Sequence, residues 1–182
     1  MVSAEFERVG KRLLSEGLVH ANLGNMSIRF GEGFLITRNG SYLDVPGEPV
    51  SVPISGPVPE TASSEYRVHQ EVYWLTDHQA LIHAHPPHAI VCSLSRDRIE
   101  PIDAEGTLFS PVIPVVDGAP GSQDLAVAVA KALADARVVV ARGHGTFAAG
   151  KSLDEAFVFT SLAEHSSRIV VLGHLAGQER RS

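Results

Sequence analysis

The order of helical and extended stretches in this 182-residue chain predicts an α/β or α+β sandwich around one sheet. Three observations predict it. Amphipathic helical segments alternate with short apolar runs along most of the chain. Two of those runs are separated by Gly31-Glu32-Gly33 and followed by Asn39-Gly40, the composition of a hairpin with a second turn after it. Neither an internal repeat nor a long linker divides the sequence. With 44% hydrophobic residues at this length, roughly 70% of the unfolded chain's surface can be buried, so a core is available without disulfides. One domain over residues 1–182 is the expectation.

Taken in order, Phe6, Val9, Leu13 and Leu14 fall at helical spacing between Ser3, a candidate N-cap, and Gly17, a candidate stop. Asn25 to Phe30 and Phe34 to Thr37 read as strands joined in a hairpin. From Asp44 to Glu60 the chain is rich in Pro, Gly and Ser, with one expected strand at Val50 to Ile54. A helix capped by Ser63 or Ser64 runs to Leu75, with Glu65 in its first turn. Ala80 to Ala84 is an apolar strand, and Pro86-Pro87 opens a helix through Leu94. After a loop come a strand at Val112 to Val116, a helix at Ser122 to Ala136, and strands at Val138 to Ala141 and Thr146 to Ala149. The last helix starts at Leu153, behind the capping box Ser152-x-x-Glu155.

The net charge of −6 and the lack of a Lys/Arg cluster argue against a nucleic-acid footprint. The closing QERRS is the one locally basic patch and reads as a frayed tail. No run of about 18 apolar residues predicts a membrane span. The charged opening MVSAEFERVGKRLLSEG does not read as a signal peptide. A single cysteine, Cys92, cannot form an internal bridge; it reads as a small buried side chain in a cytoplasmic, reducing setting.

Nine histidines are the informative feature. In LIHAHPPH, His83 and His85 stand two apart at a strand end, so alternation puts both imidazoles on one face. That is half of a metal site. A catalytic zinc takes three protein ligands and keeps a fourth position open. His144 is the best candidate for the third place, because the glycines of ARGHGTF leave it unhindered and the preceding VVVA strand delivers it to a sheet edge; His88, one turn into the expected helix, competes but needs a different approach angle. The flanks do not fit a cupin or a metallo-β-lactamase-like site, and the chain is too short for an amidohydrolase barrel. In TASSEYRVH, Ser63 and Ser64 offer hydroxyls and free backbone N–H groups, either as an anion site or as an ordinary cap followed by a first-turn acid. The Gly/Asn turns of HANLGNMSIRF and FLITRNG read as hairpin punctuation. His20, His69, His78, His165 and His174 read as surface or satisfied core histidines.

Together and in this order, GLVHANLGNMSIR, FLITRNG, SSE, HAHPPHA and RGHGTFAAGKSLDEAF resemble the class II aldolase/adducin family over nearly the whole chain, nearest to its members that cleave fuculose 1-phosphate. The resemblance implies a three-layer α/β/α sandwich around a mostly antiparallel central sheet, assembled as a homotetramer with sites near subunit interfaces. It implies His83, His85 and His144 as ligands of one Zn2+ per subunit, with Mn, Fe or Co also compatible. It implies Glu65 as the acid/base carboxylate, and Ser63, Ser64, Asn25, Asn39 and Gly40 as the phosphate site, with Asn22 a weaker match to a family threonine. The implied reaction is cleavage of a ketose 1-phosphate to dihydroxyacetone phosphate and a small aldehyde. The alternatives are dehydration, as in methylthioribulose-1-phosphate dehydratase, 4-epimerisation of a pentulose 5-phosphate, or a non-catalytic adducin-like binding module. The chain departs from the family at Ala62, where proline usually precedes the SSE, and at Arg38-Asn39 in the second turn. EPIDAEGTLF also lacks the tyrosine that helps protonate the leaving aldehyde in fuculose-cleaving relatives; Asp103 and Glu105 lie in that stretch without an assigned role.

Overall fold

A computed structural model describes residues 2–177, so the basic segment 178–182 lies outside the described residues. Along the chain run α1 (Val2–Ser15), β1 (Asn25–Phe30), β2 (Gly33–Ile36), β3 (Val50–Pro53), α2 (Tyr66–Leu75), β4 (Ala80–Ala84), α3 (Pro87–Ser93) and β5 (Arg98–Ile99). They are followed by α4 (Ala104–Phe109), β6 (Ile113–Val116), α5 (Gln123–Asp135), β7 (Val138–Ala141), β8 (Gly145–Gly150) and α6 (Leu153–Leu175). The strands form one eight-stranded sheet in the order β3-β2-β1-β4-β8-β7-β6-β5. All neighbours are antiparallel except β6 and β7.

Side-chain alternation divides the core into layers. On one face of the sheet Leu81, Val139, Phe147 and Ala149 meet Val68 and Val72 of α2 and Leu125, Val129 and Leu133 of α5. On the other, Ala80, Ile82 and Ala84 meet Phe6, Val9 and Leu13 of α1 and Ala156 and Phe157 of α6. Further along that second face, Val138, Val140 and Ala148 meet Ala89 and Cys92 of α3 and Ala163 and Val170 of α6. The architecture is therefore the α/β/α sandwich around a mostly antiparallel sheet. Every residue of β4 is buried because the strand lies at the sheet's centre with helices on both faces. This explains why its sequence is a continuous apolar run rather than an alternating one.

Several local expectations shift. Helix α1 starts at Val2, so Ser3 lies inside it and its hydroxyl donates to Glu48 Oε2 at 2.7 Å instead of capping. Helix α2 starts at Tyr66, which puts Glu65 at the N-cap with no side-chain cap hydrogen bond. Ser63 Oγ accepts from the Glu65 N–H at 3.4 Å, a weak local contact. At α6, Ser152 accepts from Glu155 N–H as expected, but Glu155 Oε2 accepts from Lys151 N–H, so the capping box closes one residue early. The region expected as a loop after Leu94 holds β5 and α4. Asp103 caps α4 by accepting from Gly106 N–H at 2.8 Å. A two-residue strand and a six-residue helix are too short to show a period, and the cap Asp103 with Glu105 in the first turn was the available signal.

Candidate active site

Antiparallel pairing of β4 with β8 sets Ala84 opposite Thr146 and brings the β7–β8 turn, which carries His144, to the end of the strand bearing His83 and His85. One ring nitrogen from each of these three histidines lies within 4.8 Å of the others, and the set could hold a metal ion. The β7–β8 turn suits this. Gly143 takes a positive φ of +66°, and a Cβ on Gly145 would stand 2.3 Å from the Ala84 carbonyl and 3.1 Å from the His83 ring, so no larger residue fits there. Phe147 stacks on His83 with ring centroids 4.2 Å apart and holds its plane.

The hydrogen bonds show how the ring nitrogens are used. His83 Nδ1 lies 3.0 Å from the Thr146 carbonyl, which only accepts, so Nδ1 carries the proton and Nε2 presents a lone pair. His85 Nε2 lies 3.0 Å from that Nε2, and His144 Nδ1 is buried without a protein partner. Burial, reinforced by His85 and His144, holds the His83 pKa well below the ordinary imidazole value. Burial with His144 and His20 brings His85 down to about 4, and burial lowers His144. Converging neutral imidazoles, with one second nitrogen anchored on a carbonyl, are the donor set that suits a divalent cation. His88, the competing third ligand, is engaged elsewhere: its Nδ1 meets Glu164 Oε1 at 2.5 Å and its backbone N–H donates to Oε2 at 2.9 Å.

The other residues that the resemblance implicates lie toward the same end of the sheet. Asn25 is buried and register-paired with His83. Its amide oxygen accepts from Nε2 of His69, which lies one turn beyond Glu65 on α2. The Arg38–Gly40 turn runs alongside Thr61–Ser63 through a bridge between Arg38 and Ala62, with Asn39 N–H donating to the Thr61 carbonyl and Ser63 N–H to the Thr37 carbonyl. Gly40 has φ +72° and faces the Asn22 amide. Ser63 is buried, while Ser64, Asn39 and Gly40 are exposed. Glu65 is buried, its Oε2 has no partner among the described residues, and burial raises its pKa against a smaller opposing effect of the Gly121 backbone hydrogen bond.

Three contributors had escaped the sequence reading. Gly121, at φ +71°, lies against the Ser64 carbonyl and supports Glu65 through its backbone. His69 was expected to be an ordinary satisfied histidine; it is satisfied, but by Asn25 and Ser27. Arg142 pins the turn that carries His144. Its guanidinium donates to Asp117 at 2.7 Å, to Asp97 at 2.8 Å and to the carbonyls of Ser93 and Arg96 at 2.5 and 2.9 Å. Basic residues next to a turn are common, and nothing in the sequence marks this one.

The model of the class II aldolase and adducin N-terminal domain matches residues 4–171. The chain belongs to that family and is a lyase-type enzyme of the class II aldolase kind. It is similar to the crystal structure of L-fuculose-1-phosphate aldolase from Thermus thermophilus, at 36% identity and a TM-score of 0.93 over 99% of this chain and 97% of that one. L-Fuculose phosphate aldolase of Methanocaldococcus jannaschii is 28% identical over 180 residues, 96% of this chain and 98% of that protein. The 5-deoxy-D-ribulose 1-phosphate aldolase of Bacillus thuringiensis serovar kurstaki is 30% identical over 178 residues, 91% and 82% of the two chains.

Proposed function

We propose that the protein is a zinc-dependent aldolase that cleaves a ketose 1-phosphate, fuculose 1-phosphate or a related deoxy-sugar phosphate, to dihydroxyacetone phosphate and a small aldehyde. The observation that carries this reading is the convergence of His83, His85 and His144 at one end of the sheet; Glu65, at the N-cap of the helix whose His69 reaches Asn25, adds a buried carboxylate with one oxygen lacking a partner among the described residues. The three histidines would hold the cation, Zn2+ first and Mn, Fe or Co as alternatives. When bound, it supplies positive charge to oxygens that become anionic as the carbon–carbon bond breaks.

The chain's own residues supply the rest. Glu65 holds and moves the proton: burial raises its pKa toward the working pH, as a general acid/base requires. Asn25, Asn39, Gly40, Ser63 and Ser64 bind the substrate phosphate, supported by the bridge that sets the Arg38–Gly40 turn beside Ser63. Holding the phosphate away from the breaking bond orients the reacting carbons and provides binding energy.

The proposal extends to the assembly: one domain of this kind over residues 1–182, working in the cytoplasm as a homotetramer with sites near subunit interfaces. Among the described residues no helix is long and apolar enough to cross a membrane. The test is elemental analysis of untagged protein joined to a coupled assay for dihydroxyacetone phosphate from fuculose, ribulose and 5-deoxyribulose 1-phosphates. About one zinc per chain with product release supports the aldolase. Zinc with turnover but no dihydroxyacetone phosphate would replace it with dehydration or epimerisation, and a metal-free, inactive protein would favour a binding module. Light scattering on the same sample reads the subunit count.

A further inference from the structure

We propose that His69 is a positioning residue for phosphate recognition, donating its Nε2–H to Asn25 Oδ1 and so holding the Asn25 amide with its Nδ2 donors available to the substrate. This inference deepens, and rests on, the reading of Asn25 as a phosphate ligand.

Four buried polar side chains form a line behind that ligand. His69 Nε2 meets Asn25 Oδ1 at 2.5 Å, His69 Nδ1 meets Ser27 Oγ at 2.6 Å, and Ser27 Oγ meets the Tyr73 hydroxyl at 2.7 Å. His69 and Ser27 are inaccessible to solvent, and Asn25 and Tyr73 nearly so. With Asn25 Oδ1 facing His69, the donor and acceptor inventory sets the direction of each bond. An amide oxygen only accepts, so His69 Nε2 carries the proton. Burial brings the His69 pKa down to about 3, so the ring is neutral and Nδ1 accepts from the Ser27 hydroxyl. Ser27 Oγ then accepts from Tyr73, whose phenol burial keeps protonated.

An asparagine amide has two faces of opposite sign, and a half-turn of its plane would aim oxygen lone pairs at an anion. The Nε2–H of His69 selects the useful orientation, because the flipped amide would set two N–H donors against each other in a buried site. The amide is also anchored beside the metal-compatible cluster, since Asn25 is the register partner of His83.

The test uses inorganic phosphate binding by calorimetry and the KM for L-fuculose 1-phosphate, on zinc-loaded protein carrying Asn25→Ala, His69→Leu, His69→Gln, Ser27→Ala, or Asn25→Ala with His69→Leu. The expected result for His69→Leu is phosphate affinity weakened about tenfold or more, the loss of one hydrogen bond to a charged group. Zinc content should be unchanged and kcat should fall far less than KM rises. His69→Gln, which keeps an N–H near the Nε2 position, should recover most of the affinity, and the double variant should bind no worse than Asn25→Ala. If Asn25→Ala weakens phosphate binding while His69→Leu does not, or if the two losses add in full, the positioning role is wrong and the Asn25 reading stands. If Asn25→Ala leaves phosphate binding unchanged, the Asn25 reading fails and takes this role with it. Should His69→Leu fail to fold, Ser27→Ala, a small change at the next link, is expected to weaken phosphate binding severalfold, and an unchanged affinity overturns the proposal. Long-range proton–nitrogen spectra of the unmutated protein provide an independent reading: the expected tautomer is Nε2–H, and Nδ1–H would overturn the assignment.

Discussion

For Glu65, stability and the chemistry proposed for it pull in opposite directions. Its carboxylate is buried with Oε2 unpartnered, and burial raises its pKa. A raised carboxylate pKa means that the folded state holds the proton more tightly than the unfolded chain, so the fold is favoured at low pH and penalised once pH rises through the folded value. Glu65→Gln, which removes the charge and keeps the shape, is therefore expected to lower turnover about 10²–10⁴-fold. In metal-free protein at pH 7.5 it should also raise the melting temperature, with the gap closing toward pH 4. Unchanged turnover would remove the acid/base assignment. His69 has the opposite sign: its folded pKa, about 3, lies below the ordinary imidazole value. The unfolded chain binds the extra proton between pH 6.5 and 3, so the stability from keeping this ring neutral is full above 6.5 and is lost as pH falls. Its share is at most about 1.4 kcal/mol per pH unit. His83 and His85 add to the same trend in metal-free protein. Denaturant midpoints at pH 7.5, 6 and 4.5 are expected to fall in that order, and a flat profile would contradict the neutral buried rings.

At the scale of elements, the β7–β8 turn depends on a residue that is not itself a ligand candidate. Arg142 ties the turn to the C-terminal end of α3 and to Asp97 and Asp117, and Ser93 Oγ accepts from Gly143 N–H at 2.9 Å. Replacing Arg142 by Met keeps much of the stem and removes the five-donor fork. The expected outcome is a loss of about 10–100-fold in metal affinity, the range for residues that orient ligands from behind. Competition with a chromogenic chelator measures it, and unchanged affinity would show that the turn holds its shape without the clamp. The same turn shows what the sequence discloses. HxH spacing and the glycines around His144 were visible because alternation and missing side chains are local properties. Those glycines and the preceding strand also favour His144 over His88; what the sequence does not show is Glu164, distant along the chain, taking up His88. Strand β4 was legible as an apolar run and α6 as a capped helix, whereas β5 and α4 were too short to show a period. The displaced α1 and α2 starts have a similar origin, since several polar residues in a row each offer a plausible cap. The assignment of roles to Glu65, Asn25 and the serines came through family resemblance, because neither a hydroxyl pair nor a lone acid has a periodic signature.

For the whole molecule, the cation is expected to be part of the fold's stability as well as its chemistry. Three neutral imidazoles gathered at a sheet end would bind metal in the folded state far better than in the unfolded chain, so binding would be linked to folding. At free metal about 100 times Kd the linkage is worth about 2.7 kcal/mol, roughly 5–10 °C in melting temperature for a chain of this size. Stripping with a chelator should lower the transition by that much and abolish turnover, and zinc should restore both. Loss of turnover with no thermal shift would place the metal outside this cluster. The central position of β4 carries a further consequence. Its neighbour β8 is far away along the chain, and the His83 ring finds its carbonyl partner 63 residues downstream. A ribosome will therefore have released His83 and His85 well before Gly145–Gly150 exists to pair with them. On the proposed metal role, His83 and His85 spend that interval without the turn that carries the third member of the cluster, so the site can close only after the last strand is made.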